Sequence, residues 1–143
     1  MAITSAICNS FKQEILEAEH NFTASTGNTF NLALYTSSAS LGASTTAYTT
    51  SNEVSGSGYT AKGNALTSVT PVADSTTAVC DFADTSFTSA SFTARGCLIF
   101  NDSATGDPAV CVIDFGSDKT VTSGTFTIQF PAADASNAIV RIA

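Results

Sequence analysis

Tryptophan is absent from this 143-residue chain, histidine and methionine each occur once, and only five residues carry a positive charge. Each scarcity closes a route. The five cations, Lys12, Lys62, Arg95, Lys119 and Arg141, are scattered among twelve acidic residues, for a net charge of −7. Binding a nucleic-acid backbone draws on clustered Lys and Arg that release counterions, and attachment to an anionic membrane needs a similar cluster. The composition therefore points away from nucleic acid and membrane as partners. A single histidine, His20, leaves little room for imidazole-assisted catalysis or a zinc site. With no tryptophan and three tyrosines, the chain is poor in flat rings on which sugars stack. No apolar run approaches the ~20 residues that cross a bilayer as a helix. The opening "MAITSAIC" has no basic flank and too short an apolar stretch for a secretory leader, so synthesis and folding in a cytoplasm are expected.

What is present fits one domain by length, long enough to bury a core without disulfides or a metal. Charged residues make up 12%, about half the usual share of ~25%, and Ser, Thr, Ala, Asn and Gly fill the gap. Low charge with abundant Thr, Val and Phe is the composition of an all-β domain. Cys8, Cys80, Cys97 and Cys111 show no C-x-x-C spacing, and the last three sit inside apolar, strand-like segments. They are expected as reduced, buried thiols and not as bridges.

One stretch carries helical periodicity. Within 10–22, Ser10 is placed to cap and Gln13 to complete a capping box. Phe11, Ile15, Ala18 and Phe22 form an apolar stripe. Residues 1–9 before it are expected as an N-terminal arm, and 10–143 as a single β-sandwich domain. Strands are expected in "TFNLALYTSS", where Phe30, Leu32 and Leu34 alternate with Asn31, Ala33 and Tyr35, and at 64–69, 77–82, 91–102, 108–115, 125–130 and 137–142. The turn "NDSATGD" joins 91–102 to 108–115 as a hairpin. Gly96, inside an apolar run, marks a bulge or a close approach of another backbone. About seven short strands after one N-terminal helix predict a mainly β fold, an antiparallel β-sandwich or jelly roll. With no helix between strands, a parallel α/β sheet is excluded. Residues 36–59 form a long polar segment without pattern, expected as a functional loop.

Candidate motifs resolve into turns. "NEVSGSGYTAKGNAL" (52–66) has the glycines of a phosphate cradle, but it leads toward a strand where the dinucleotide fingerprint must open a helix. Its glycines are expected as turn residues. His20 is expected to cap the helix end. Asp102, Asp107, Asp114 and Asp118 flank turns and do not match a calcium loop, so Asx-turns explain them, with calcium as the alternative. No G-x-S-x-G elbow occurs, and no pair of acids is marked as a glycosidase pair. No catalytic, cofactor-binding or metal-ligating residue is assigned, and no cofactor is expected.

Read together, "FKQEILEAEHNF", "NLALYTSS", "TTSNEVSGSGYTAKGNAL", "DFADTSFTSASFTARGCLIFND" and "DFGSDKTVTSGTFTIQFPAADASNAIVRIA" resemble a family of small virion structural proteins of tailed bacteriophages. The most similar characterised role is that of a head cement (decoration) protein. The resemblance covers nearly the whole chain; Lys62 stands where the family often has a glycine. It implies a non-enzymatic protein made in the host bacterial cytoplasm and placed on the capsid exterior of the virion. There it would bridge neighbouring major capsid protein subunits, with further copies of itself as a second partner. Contacts are expected from residues 1–9, from the 36–59 loop and from one exposed sheet edge. The rival readings are a tail or head–tail adaptor or fibre base, and a stand-alone sugar- or calcium-binding β-sandwich module.

Overall fold

Runs of β-branched and aromatic residues separated by Gly, Ser and Asp clusters pair here into two antiparallel sheets. The computed structural model describes residues 2–143. Its elements are β1 (Ala6–Ile7), α1 (Asn9–Leu16), β2 (Phe30–Tyr35), β3 (Asn64–Ala65), β4 (Ser68–Asp74), β5 (Thr77–Phe82), β6 (Thr85–Asn101), β7 (Ala109–Ile128) and β8 (Val140–Ile142). One sheet has the order β1-β7-β6-β2-β3 and the other β4-β5-β8. With 49% of residues in strands and 6% in helix, against roughly 20–25% and 30–35% in ordinary domains, the class is mainly β. The two packed antiparallel sheets form a β-sandwich with one short helix, as the composition predicts.

Aromatic rings join the layers. Phe30 of β2 lies 5.9 Å from Phe82 of β5, centroid to centroid, and Phe82 lies 5.6 Å from Phe130. All six residues of β2 are buried, although its alternation predicts one face in and one out. Segment 36–59 is the reason. It folds back over the sheet, placing the Tyr48 ring 4.8 Å from that of Phe100 and burying Ala39, Leu41 and Val54.

Several expectations need correction. The helix has eight residues and ends at Leu16, because Ala18 turns into the left-handed region at φ 60°. Phe22 still reaches the core, but from extended chain, stacked 4.2 Å from Phe30. Ser10 does not cap: Cys8 holds the N-cap position without a side-chain cap bond, and the Ser10 hydroxyl is buried without a partner. Gln13 instead donates to Glu17 Oε1. The expected arm is folded down. Ile3 bridges Leu41, Ala6 and Ile7 pair with Val112 and Cys111, and Cys8 is fully buried. Neither this stretch nor 36–59 projects: the molecule exposes 6950 Å², against about 6900 Å² expected for a monomer of this mass without extensions.

The C-terminal half departs in strand length. The segments expected at 108–115 and 125–130 are parts of one 20-residue strand, β7, paired with the 17-residue β6. The stretch expected as a turn around Asp114 and Asp118 is a bulge in β7, between the pairs Gly96↔Asp114 and Ala94↔Lys119. Gly96 is where two backbones meet, as its position in the run predicts. A Cβ there would lie 2.6 Å from the Ile113 carbonyl oxygen and 2.9 Å from the Ile3 side chain. The segment 64–69 is divided between β3 and β4, which belong to different sheets. One helix, α1, does lie between strands β1 and β2, but every strand pairing is antiparallel, so the class stands.

Candidate functional site

The glycine stretch 52–66 does turn the chain, and it does more. Lys62 and Gly63 are consecutive left-handed residues, at φ 73° and 65°. A side chain at 63 would run into the Leu32 backbone. This turn aims the Lys62 amine between Asp102 and Asp107, at 2.7 and 2.9 Å, in the loop joining β6 to β7. The ammonium also sits 5.7 Å from the Tyr48 ring centroid and 5.9 Å from that of Phe100, a cation–π arrangement. The two carboxylates hold the Lys62 pKa well above its ordinary value.

Glu53 organises the other side of the turn. Its Oε1 accepts from the Tyr59 hydroxyl at 2.6 Å and from the Lys62 backbone N–H at 2.8 Å, and its Oε2 accepts from Tyr48 at 2.6 Å. Tyr59 in turn accepts the Leu34 N–H at 2.9 Å. Burial, then the bond to Glu53, pushes Tyr48 up to about 12, and the same causes push Tyr59 further. Both Glu53 oxygens, the Tyr48 and Tyr59 hydroxyls and the Lys62 amine of this cluster have protein partners. Chemically it is a clasp that ties segment 48–62 to β2 and to the β6–β7 loop. Asp102 and Asp107 are therefore partners of a lysine, whose ammonium stands where a cation between them would stand. Asp114 accepts from Gly116 N–H at 2.9 Å and Arg95 Nε at 3.0 Å, which hold it below its ordinary range. Asp118 is exposed in the bulge.

His20 is not a helix cap. It lies beyond α1, buried among Phe11, Phe22 and Phe30. Its Nε2 is 2.7 Å from Glu14 Oε2 and its Nδ1 is 3.2 Å from Asn101 Nδ2. Asn101 also donates to Glu19 O and Asn28 Oδ1, so this node fastens residues 19–28 to the end of β6. All four cysteines are free and buried, as their apolar settings predict. Burial pushes Cys8 up to about 11, Cys80 and Cys97 to about 12, and Cys111 well above its ordinary value. None is poised as a nucleophile, which requires the thiolate. Among the described residues, no group of three or more His, Cys, Asp or Glu converges.

The surface offers something different. Sheet edges attract foreign strands unless they are short, bulged, charged or interrupted by proline. Here β1 and β3 have two residues each and β8 three, while β4 carries Pro71 and a register shift. The distal outer edge of β6 is met only by segment 57–64, through Ser91 N–H to Ser57 O and Asn64 Nδ2 to Ser86 O; the outer edge of β7 is barer still. β1 covers it only at Cys111 and Val112, and between Lys119 and Ile128 no backbone–backbone hydrogen bond is made outside the β6 ladder, the Ser123 N–H donating to Ser91 Oγ. That stretch has no proline and no charge except Lys119; its ladder shifts register twice, opposite Phe87–Ala90 and opposite Ala90–Phe92, the second where Ser123 stands at φ 45°. Thr120, Thr122, Thr125 and Thr127 are exposed along it, and Thr120 and Thr127 are locked by 2.8 Å hydroxyl contacts to Thr93 and Ser86. Beside it runs an apolar groove of about 540 Å³, lined by Ile113, Phe115, Phe126, Ile128, Phe130 and Ile139 among others. A second groove, of about 420 Å³, opens between α1 and the smaller sheet, with Ile15, Phe22, Val140 and Ile142 in its walls.

Sequence reasoning anticipated an exposed edge but not which one, and it missed the Glu53–Lys62 clasp. The local signal was an acid, a tyrosine and a lysine threaded through glycines; the partners Asp102 and Asp107 lie too far along the chain for any local pattern to reveal.

Fold and surface together define a charge-poor antiparallel β-sandwich whose outer β7 edge is left open. Compared with protein-family models, curated proteins and solved structures, the chain matches none of them.

Proposed function

We propose that this is a non-enzymatic structural protein of a virion, a cement (decoration) protein that bridges neighbouring major capsid subunits on the outside of a phage head. The observation that carries this reading is the open, nearly uncharged edge of β7 on an otherwise well-protected body. A free edge offers backbone donors and acceptors to an extended segment of a neighbour, a mode in which main-chain hydrogen bonds supply affinity. Low charge at the edge limits the desolvation cost of burying it. The whole-chain resemblance to phage virion proteins supports the setting. In a symmetric shell, each modest contact after the first is effectively intramolecular, and weak edges add up to firm attachment. We assign the contact surface to β7 and its groove, since residues 2–9 and 36–59 are engaged within the fold.

Quantitative mass spectrometry of purified particles tests this. A copy number near that of the shell protein is expected, whereas a few copies per particle would move the protein to the tail or head–tail joint. Thr125→Lys, which places a charge on the open edge, should lower occupancy on particles without changing the melting temperature. Undiminished occupancy would take the edge out of the interface. Thermal shift with calcium or sugars should be flat; a rise in melting temperature would favour a stand-alone binding module.

A further inference from the structure

The inner face of β7 carries a cation without a carboxylate beside it. The ladder sets Lys119, Val121, Gly124 and Phe126 opposite Ala94, Phe92, Ala90 and Phe87 of β6, all four of them buried, and directly paired residues share a face. Lys119 therefore stands on the inward side, in the wall of the 540 Å³ groove with Phe115, Phe126 and Ile128. The other four cations have acceptors within the fold. Lys62 has Asp102 and Asp107, Arg95 has Asp114, Arg141 has the Ala135 and Ser136 carbonyls, and Lys12 has Asn9 Oδ1. None of the ion pairs among the described residues involves Lys119, which is exposed. Val121, Phe126 and Ile128 along the same face are only half-buried. This face thus lacks a cover for its apolar side chains and a partner for its charge.

A strand added at the open edge of β7 supplies both. Laid about 4.8 Å away, it sets alternate side chains beside Val121, Phe126 and Ile128, over the groove, and the side chain at one end beside Lys119. In this mode the main chain gives affinity and the alternate side chains give specificity. We propose, resting on the reading of β7 as the contact surface, that its occupant is an extended segment of another protein, apolar at every second position and acidic where it passes Lys119. A second copy of this chain does not meet that description. Its β1, β3 and β8 edges have two or three residues, β4 carries Pro71, and segment 57–64 meets β6. That leaves β7 itself, whose residues 119–128 contain no acid to set against Lys119 in any register. The net charge of −7 acts on an acidic segment mainly from a distance, and salt screens it beyond about 8–10 Å. The adjacent lysine decides the preference at this end of the edge.

Fluorescence anisotropy with two labelled peptides of about ten residues, the length of the open stretch, tests it on the full-length protein. Both alternate valine with threonine. One carries glutamate at each end and the other lysine, so that either strand direction is covered. The glutamate peptide should bind the wild type about two- to fivefold more tightly, the worth of an exposed ion pair. Lys119→Gln should erase that preference and Lys119→Glu should invert it, both with an unchanged melting temperature. The glutamate peptide with its interior amides N-methylated, and so without backbone donors, should lose binding. Equal affinities on the wild type, an order that Lys119→Glu leaves unchanged, or full binding by the N-methylated peptide overturns the inference. So does a dimer in sedimentation velocity that Thr125→Lys dissociates, since the occupant would then be a second copy. Absence of binding by either peptide also overturns it, whereas the shell reading is judged separately by copy number in particles.

Discussion

The hairpin of β6 and β7 crosses two environments on one continuous ladder. In its proximal half, residues 96–101 and 109–112, every position is buried, between the smaller sheet on one side and segment 36–59 on the other. In its distal half, β6 residues 85–95 alternate between buried and open positions, and β7 residues 116–128 are all half-exposed or exposed. The residues follow the layers. The proximal half reads "GCLIFN" and "AVCV", apolar on both faces; the distal half reads "TVTSGTFTI", with threonines outward. Only its inner face packs, where Phe87, Phe92 and Phe126 cluster and Tyr59 lies 5.5 Å from Phe87. Pairing makes both halves strand, but coverage decides which half is core and which is left to meet other molecules.

That contrast can be broken or sharpened by experiment. The largest expected effect is on thiol chemistry. Cys97 and Cys111, in the proximal half, should react with a disulfide reagent at least about a thousandfold more slowly in the native state than in urea, because reaction must await unfolding. Their raised pKa values mean that mild alkalinity alone should not restore reactivity. Next, Phe100→Ala should cost about 3–5 kcal/mol by chemical denaturation, as expected for a large ring removed from a closed core. At the joint between the halves, Gly96→Ala should cost about 1–3 kcal/mol, since Ile3 or the Ile113 backbone must move. Tyr59→Phe, which strands the Leu34 N–H and one bond of Glu53, should cost about 1–3 kcal/mol while leaving the ring packing of the distal half intact. At the bottom of the scale, Thr122→Ala on the distal ribbon should stay within about 0.5 kcal/mol. A large loss there would mean that the ribbon is as integral to the core as the proximal half.

Much of this fold was legible locally. Strand 77–82 and the hairpin around "NDSATGD" follow from apolar runs bounded by turn residues, which need no knowledge of the rest of the chain. The helix was over-extended because Ala18 and Phe22 continue its spacing, although the chain turns at Ala18 and Phe22 serves the core from outside the helix. The Asx bond expected in "DFGSD" does form, from Gly116 N–H to Asp114, but inside a bulge of β7, because the long partner strand β6 carries the pairing across it. His20 was misassigned for a related reason, its partner Asn101 lying at the far end of the chain's longest apolar run.

Composition and alternation by themselves determined the class, an antiparallel mainly β body with reduced thiols, because side-chain period and β-propensity act over a few neighbouring residues. Tertiary structure alone decided which edge stays open and where Lys62 finds its two carboxylates. Those outcomes depend on contacts between residues dozens of positions apart, and on how many layers cover each strand, which no local run of side chains encodes.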